Sequence, residues 1–471
     1  MNRITLDEAL AMGRADAREL HRQYGNAALV QLMGLVGFDR VYTRAEGCLL
    51  WDEHGQEYLD FTAHFGALNL GHNPPEVLDA VRRVEERPNL LQTGLSPLTA
   101  ALAQNLALLT PGELSHTFFC NSGAEAVEAA LKLARIATGR KRFVYCRNAF
   151  HGKTFGALSV TGRAAYQEPF EPLLPDRTAV PFGDAAALEE ALAPRDAAAF
   201  IIEPIQGEGG VILAPSGYLK TAEELCRRTG TLLIVDEVQT GLGRTGTLFA
   251  CEAEDVRPDL LCLSKSLGGG VEPIGATVAT ERVWQKGFGS LERSRIHTST
   301  FGGNSRAAAA ALAALDIIVR EDLHQRAAEL GAYLLARLGA LRDRHPETVR
   351  AVRGRGLLIG LEFQEPQGWV NRLSFGGAAR LSQEYLASLV AGELLRRHHV
   401  MTVFTLNNPN VLRLEPPLIV TREQIDHVVD ALDDVLSGAR SSLGLAVRSA
   451  RAALSGMWGR READGPHEPS A

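Results

Sequence analysis

From about residue 75 to 330, short continuous apolar runs bounded by glycine or proline alternate with longer stretches of helical periodicity. The runs are His116–Cys120, Phe143–Cys146, Ala199–Ile205, Leu232–Val238 and Leu260–Leu263. They do not alternate polar with apolar, which is the pattern of parallel strands covered on both faces. Amphipathic stretches lie between them; residues 217–229 form one, and Gly230 closes it before the next run. The repetition predicts an α/β fold, with an open, mostly parallel sheet and helices on both sides.

The flanks read differently. Residues 1–45 have a helical, amphipathic pattern. Cys48–Trp51 and Glu57–Phe61 read as a hairpin turned at Asp52–Gly55. Residues 331–437 open with a helix, pass through a strand-like stretch from Gly354 to Phe363, and end in a strand and a helix at 422–436. The expected division is 1–60 as an N-terminal helix and hairpin belonging with a smaller α+β domain, 61–330 as the large domain, 331–437 as the smaller domain, and 438–471 as an extension. Residues 365–378 read as a loop, 440–461 as a basic amphipathic helix and 462–471 as disordered.

Composition narrows the function classes. The chain has 471 residues, 45% hydrophobic and 22% charged, as in ordinary globular proteins. A net charge of −7 argues against a dedicated nucleic-acid binder. No apolar run approaches the roughly 18 residues of a membrane span. The first residues lack a basic-then-apolar leader, so a cytoplasmic location is expected. The six cysteines are scattered and read as buried thiols in a reducing compartment, with no metal site expected. Only six of the 49 basic residues are lysine, and none follows Lys286. Chemistry that needs a lysine amine therefore has few candidates.

Ligands of open parallel sheets bind beyond the carboxyl ends of the strands. After His116–Cys120 comes Asn121-Ser-Gly-Ala-Glu125, where Ser122 and Glu125 have capping-box spacing. The amides of Gly123 and Ala124 then lie at a helix N-terminus suited to phosphate, although an ordinary capped helix reads the same way. Asp236 and Glu237 end an apolar run; buried acids are costly unless paired, and an inter-domain salt bridge explains one of them equally well. Lys265 follows Leu260–Leu263 and precedes a glycine run, as a catalytic amine or as a lysine snorkelling to solvent. Together a phosphate-binding helix, an aspartate and a lysine fit pyridoxal 5'-phosphate. The amine bonds the cofactor, the aspartate keeps the pyridine nitrogen protonated, and the helix amides hold the phosphate.

Over about residues 45–437 the chain resembles the class III (ω-)aminotransferases, pyridoxal phosphate enzymes of fold type I. The resemblance rests on Phe118-Phe-Cys-Asn-Ser-Gly-Ala-Glu-Ala126, Ala149-Phe-His-Gly-Lys-Thr154, Glu203-Pro-Ile-Gln-Gly-Glu-Gly-Gly-Val211, Val235-Asp-Glu-Val-Gln-Thr-Gly241, Cys262-Leu-Ser-Lys-Ser-Leu-Gly-Gly-Gly270, Thr300-Phe-Gly-Gly-Asn304 and Arg413-Leu-Glu-Pro-Pro-Leu418. Within the family these motifs are most similar to those of the putrescine aminotransferases. The resemblance implies that Lys265 bonds the cofactor and shuttles the proton, and that Asp236 partners the pyridine nitrogen. It implies that Phe150 and Val238 sandwich the ring, that Gln239 lies near the ring hydroxyl, and that Gly123 and Ala124 bind phosphate. Thr300 is similar to a threonine that reaches the phosphate of the neighbouring subunit, which implies a homodimer with shared sites. Arg413 is similar to the arginine that receives the carboxylate of 2-oxoglutarate, and Glu208 to the acid that neutralises it when the donor has none.

The chain departs from the pattern at three places. Ala124 stands where many relatives have threonine. Lys153 stands where ornithine-type relatives have an arginine, and lysine lacks the bidentate fork for carboxylates. Phe65 replaces a pocket tyrosine. A diamine donor of the putrescine or cadaverine type is therefore expected, with 2-oxoglutarate as acceptor. A tailoring transaminase for long-chain or polyketide-derived carbonyls, or an ornithine, acetylornithine or 4-aminobutyrate type, is the alternative.

Overall fold

The computed structural model describes residues 3–90, 93–364 and 377–438. Among these, a central sheet has seven strands in the order Leu114–Cys120, Gly275–Thr280, Leu260–Leu263, Leu232–Asp236, Ala197–Ile202, Arg142–Cys146 and Arg177–Val180. Gly275–Thr280 runs antiparallel to both of its neighbours. All the other pairings are parallel. Every residue of Ala197–Ile202, Leu232–Asp236 and Leu260–Leu263 is buried, which explains why their sequences do not alternate. Helices such as Gly123–Thr138 and Tyr218–Thr229 cover the sheet, and Gly230 ends the latter at φ +68°.

A second sheet is antiparallel, in the order Val349–Arg355, Leu358–Phe363, Val411–Leu414, Val403–Phe404. A third joins Tyr42–Glu46, Leu49–Asp52 and Glu57–Asp60 to Val400–Met401, with Val400 paired to Leu59. The expected hairpin is therefore hydrogen-bonded to residues far along the chain.

Several expectations are corrected. The run to Ile205 stops as a strand at Ile202, because Pro204 has no amide to donate; Ile205–Gln206 pairs instead with Ile212–Leu213. The run to Val238 stops at Asp236. Residues 1–45 are not all helical: after Ala27–Val36 the chain enters the strand Tyr42–Glu46. Two strands carried too little signal. Arg177–Val180 is a short edge, and Gly275–Thr280 contains no large apolar residue beyond Val278. The helix Leu323–Arg344 runs across the expected division at 330/331. Of the expected loop, 365–376 lies outside the described residues, and 377 and 378 begin the helix Gly377–His398. The tail from 439 also lies outside them. No helix among the described residues is long and apolar enough to cross a membrane.

Candidate active site

A cavity of about 340 Å³ lies at the carboxyl ends of the parallel strands. Its lining includes Gly123, Ala124, Phe150, Asp236, Val238, Gln239 and Lys265, with Phe65, Glu208 and Leu406 from other elements. Strand order alone explains the convergence: each of the first group follows or ends a strand of the central sheet.

Ser122 caps the helix Gly123–Thr138, its hydroxyl accepting from the Glu125 amide at 3.2 Å. The Glu125 carboxylate accepts from the amide of Asn121 at 2.9 Å, one residue earlier than a reciprocal box requires. Gly123 and Ala124, in the first turn, have amides without acceptors inside the helix. A Cβ at Gly123 would stand 2.8 Å from Val238 Cγ1, so only glycine lets the helix end approach the Val238 side chain.

Asp236 is paired. Its Oδ2 lies 2.7 Å from His151 Nδ1, and its Oδ1 accepts from the Val238 amide at 3.0 Å. Glu237 forms no salt bridge among the described residues; it accepts from Thr240 Oγ1 and from the amides of Ala250 and Cys251. Lys265 sits half-buried in left-handed backbone at φ +47°. Burial lowers its amine below the usual lysine range, which favours the nucleophilic free base.

Phe65 is delivered by a left-handed turn: φ is 41°, 47°, 61° and 81° at Ala63, His64, Phe65 and Gly66. Left-handed backbone costs on the order of 1 kcal/mol per non-glycine residue. Asp60 Oδ1 holds the turn by accepting from the amides of Thr62 and Ala63, and Gln239 Nε2 donates to the Phe65 carbonyl at 3.2 Å. The guanidinium carbon of Arg413 lies 5.1 Å from the Phe65 ring centroid. Arg413, fully buried, donates from Nη1 to Glu208 Oε1 at 2.7 Å. Glu208 Oε2 accepts from the Leu406 amide at 2.7 Å. Burial raises the Glu208 carboxyl, but Arg413 and the Leu406 amide outweigh it and hold it below its ordinary range. Arg413 Nη2 is buried without a hydrogen-bond partner, a donor suited to a second carboxylate.

Two of the expected residues lie elsewhere. Lys153 is exposed, its Nζ 4.4 Å from the Tyr166 ring centroid. Thr300 is exposed and lines a different, open cleft of about 940 Å³ with Ser299 and Asn304. Four residues escaped notice: His151, Glu203, Glu415 and Arg244. The first three lie inside the motifs quoted above, but nothing in their spacing marks them as buried polar groups at or beside the site.

Residues 35–436 match the family described as aminotransferase class-III. The chain belongs to the class III aminotransferases. As members of that family use pyridoxal phosphate, so does this aminotransferase. The residues present fit the group: Asp236 with His151 for a pyridinium nitrogen, helix amides for phosphate, and a lysine whose amine burial lowers below its usual range, all lining one cavity. Aminotransferase PigE of Serratia sp. is 41% identical over 455 residues, covering 90% of this chain and 53% of that protein. The chain thus spans about half the length of that relative. Among solved structures, the ornithine aminotransferase of Toxoplasma gondii has a TM-score of 0.80 at 32% identity, covering 93% of this chain and 99% of that one. An (S)-enantioselective omega-transaminase from Thermomicrobium roseum has a TM-score of 0.81 at 32% identity, covering 91% and 99%.

Proposed function

We propose that this aminotransferase moves the terminal amino group of a diamine, of the putrescine or cadaverine type, to 2-oxoglutarate in two successive half-reactions. The observation that carries the reading is the buried Arg413–Glu208 pair beside the cavity. Arg413 takes the far carboxylate of the acceptor. Glu208 takes Arg413 when a donor without that carboxylate is bound, which spares the site a desolvated, unpaired cation.

The bound cofactor supplies the carbonyl that receives the amino group and the electron sink for the substrate carbon. Lys265 bonds it and carries the proton. Asp236, oriented by His151, would partner the pyridine nitrogen; Phe150 and Val238 would confine the ring, Gln239 would serve its hydroxyl, and the amides of Gly123 and Ala124 would hold the phosphate. Thr300, exposed on one chain, completes the phosphate site of a second, so the working unit is a homodimer. Six buried free thiols favour a reducing, cytoplasmic setting.

An ornithine-type donor is disfavoured, because the exposed Lys153 lacks the bidentate fork that an α-carboxylate takes from arginine. A second reading, a long-chain aliphatic carbonyl as substrate, is favoured by the apolar side chains of Phe65 and Leu406 in the cavity lining. A screen of diamines, monoamines and amino acids as donors, following glutamate formed from 2-oxoglutarate, tests the proposal. Fastest turnover with a diamine supports it; fastest turnover with ornithine or another α-amino acid refutes it.

A further inference from the structure

Arg413 faces two carboxylates, and Glu208 is only one of them. The other is Glu415, two positions along the same extended segment and therefore on the same face. Its Oε2 lies 3.3 Å from Arg413 Nε and accepts from Gln239 Nε2 at 3.3 Å. Its Oε1 lies 3.9 Å from Nε of Arg244. Arg244, Arg413 and Glu415 are all completely buried. Burial pushes the Glu415 carboxyl above its ordinary range, and the two arginines pull it back.

The two acids are held differently. Glu208 is tied at one oxygen to Arg413 and at the other to a backbone amide. Glu415 is wedged. A Cβ on Gly66 would stand 2.3 Å from its Oε1, so Gly66 packs directly against the carboxylate. Arg244, which approaches the same oxygen, is anchored by Asn69 and by the carbonyls of Leu357 and Pro416. The contact between Arg413 Nε and Glu415 is also not a hydrogen bond. Glu415 thus offers charge without an aligned bond, and it has no room to swing.

We propose that Glu415 is a fixed second counter-ion of Arg413, which keeps the guanidinium neutralised while Glu208 is displaced and so sets the specificity between carboxylate and carboxylate-free substrates. This positioning role rests on the reading of Arg413 as the acceptor's anchor. Removing the sole partner of a buried cation is strongly unfavourable. With Glu415 in place, departure of Glu208 does not leave Arg413 alone. Loss of Glu415 would strengthen the hold of Arg413 on Glu208 and on an incoming carboxylate alike, so the two effects largely cancel in the intact protein. They separate once Glu208 is neutral.

Glutarate, a dicarboxylate with neither amine nor carbonyl, is titrated calorimetrically into four holoenzymes: the parent, Arg413→Ala, Glu208→Gln, and Glu208→Gln with Glu415→Gln. Arg413→Ala is expected to lose binding. The double variant is expected to bind about tenfold or more tightly than Glu208→Gln, the scale of one charge removed beside a buried guanidinium. Its KM for the amine donor should rise over that of Glu208→Gln, a split that general loosening would not produce. Glu208→Gln with Glu415→Asp keeps a carboxylate but withdraws it, and should fall between; it carries the measurement if the double glutamine variant does not fold. Glutarate binding no tighter than in Glu208→Gln, with Arg413→Ala dead to glutarate, would overturn the role of Glu415 alone. Glutarate binding to Arg413→Ala as to the parent would overturn the anchor reading itself.

Discussion

Nδ1 of His151 lies 2.7 Å from Oδ2 of Asp236, and both side chains are buried. The imidazole thus fixes the carboxylate, and its other nitrogen, Nε2, has no hydrogen-bond partner among the described residues. Asp236→Asn keeps the shape and removes the charge that favours a protonated pyridine. Turnover should fall by roughly 10²–10⁴, the scale of several kcal/mol lost from the electron sink. His151→Ala should cost less, because the Val238 amide still holds Asp236. Near-normal turnover of Asp236→Asn in a steady-state assay would contradict the assignment.

Lys265→Ala should abolish turnover and the visible absorption of cofactor bound to a lysine amine. Borohydride reduction followed by peptide mapping should place the label on Lys265. A label on Lys153 or Lys286 would move the chemistry elsewhere.

Arg413→Ala and Glu208→Gln should fail in opposite half-reactions. The first should weaken the 2-oxoglutarate half by about 2–5 kcal/mol, the scale of a buried charge pair losing one partner. The second should spare that half and slow the amine half. Stopped-flow traces of each half-reaction distinguish the two, and equal damage in both would mean that the pair is structural.

Glu203 makes a pH prediction. Its carboxyl is pushed up to about 7, chiefly by burial, with Asp236 adding to the rise and His151 and the amides of Phe150 and Gly207 opposing it. The native state therefore holds a proton that the unfolded chain releases near its ordinary value. Stability from this group is full below about pH 4.5 and is lost as pH rises through about 7, some 3 kcal/mol in all. Glu203→Gln should flatten that part of a melting-temperature profile. An unchanged slope between pH 5 and 7 would show that Glu203 is ionised throughout.

Light scattering should find a dimer or a multiple of it, because Thr300 does not line the cavity of its own chain. A fully active monomer would exclude a shared site.

The sequence made the central strands legible because their burial is two-sided: Leu232–Asp236 and Leu260–Leu263 could be read from unbroken apolar runs. The strand Gly275–Thr280 could not, since alanine and threonine serve helices, loops and strands alike. Lys265 was conspicuous among so few lysines, and Asp236 was conspicuous as an acid ending an apolar run. Glu415 was not, because its meaning lies in how it meets Arg413, two residues away, and in Gln239 and Arg244, which the fold gathers from distant positions. Likewise the left-handed turn at Ala63–Gly66 leaves no mark except one glycine.

The antiparallel strand Gly275–Thr280 has a consequence for how the molecule is made. Among the described residues it is the only sheet partner of Leu114–Cys120, the strand that leads into the phosphate helix. Gly275 also packs so closely on Ser122 that a Cβ would stand 2.4 Å from its carbonyl oxygen. During synthesis the chain emerges from its amino end, and pairings between distant segments must wait for the later one. A nascent chain halted before residue 275 would already carry Asp236 and Lys265, and the helix Gly123–Thr138 would already have Ala197–Ile202, Leu232–Asp236 and Leu260–Leu263 to pack on, yet Leu114–Cys120 would lack its sheet partner. The strand that leads into the phosphate helix is therefore fixed only at the last stage in assembling the large sheet, when the returning strand pairs with it beside Leu260–Leu263.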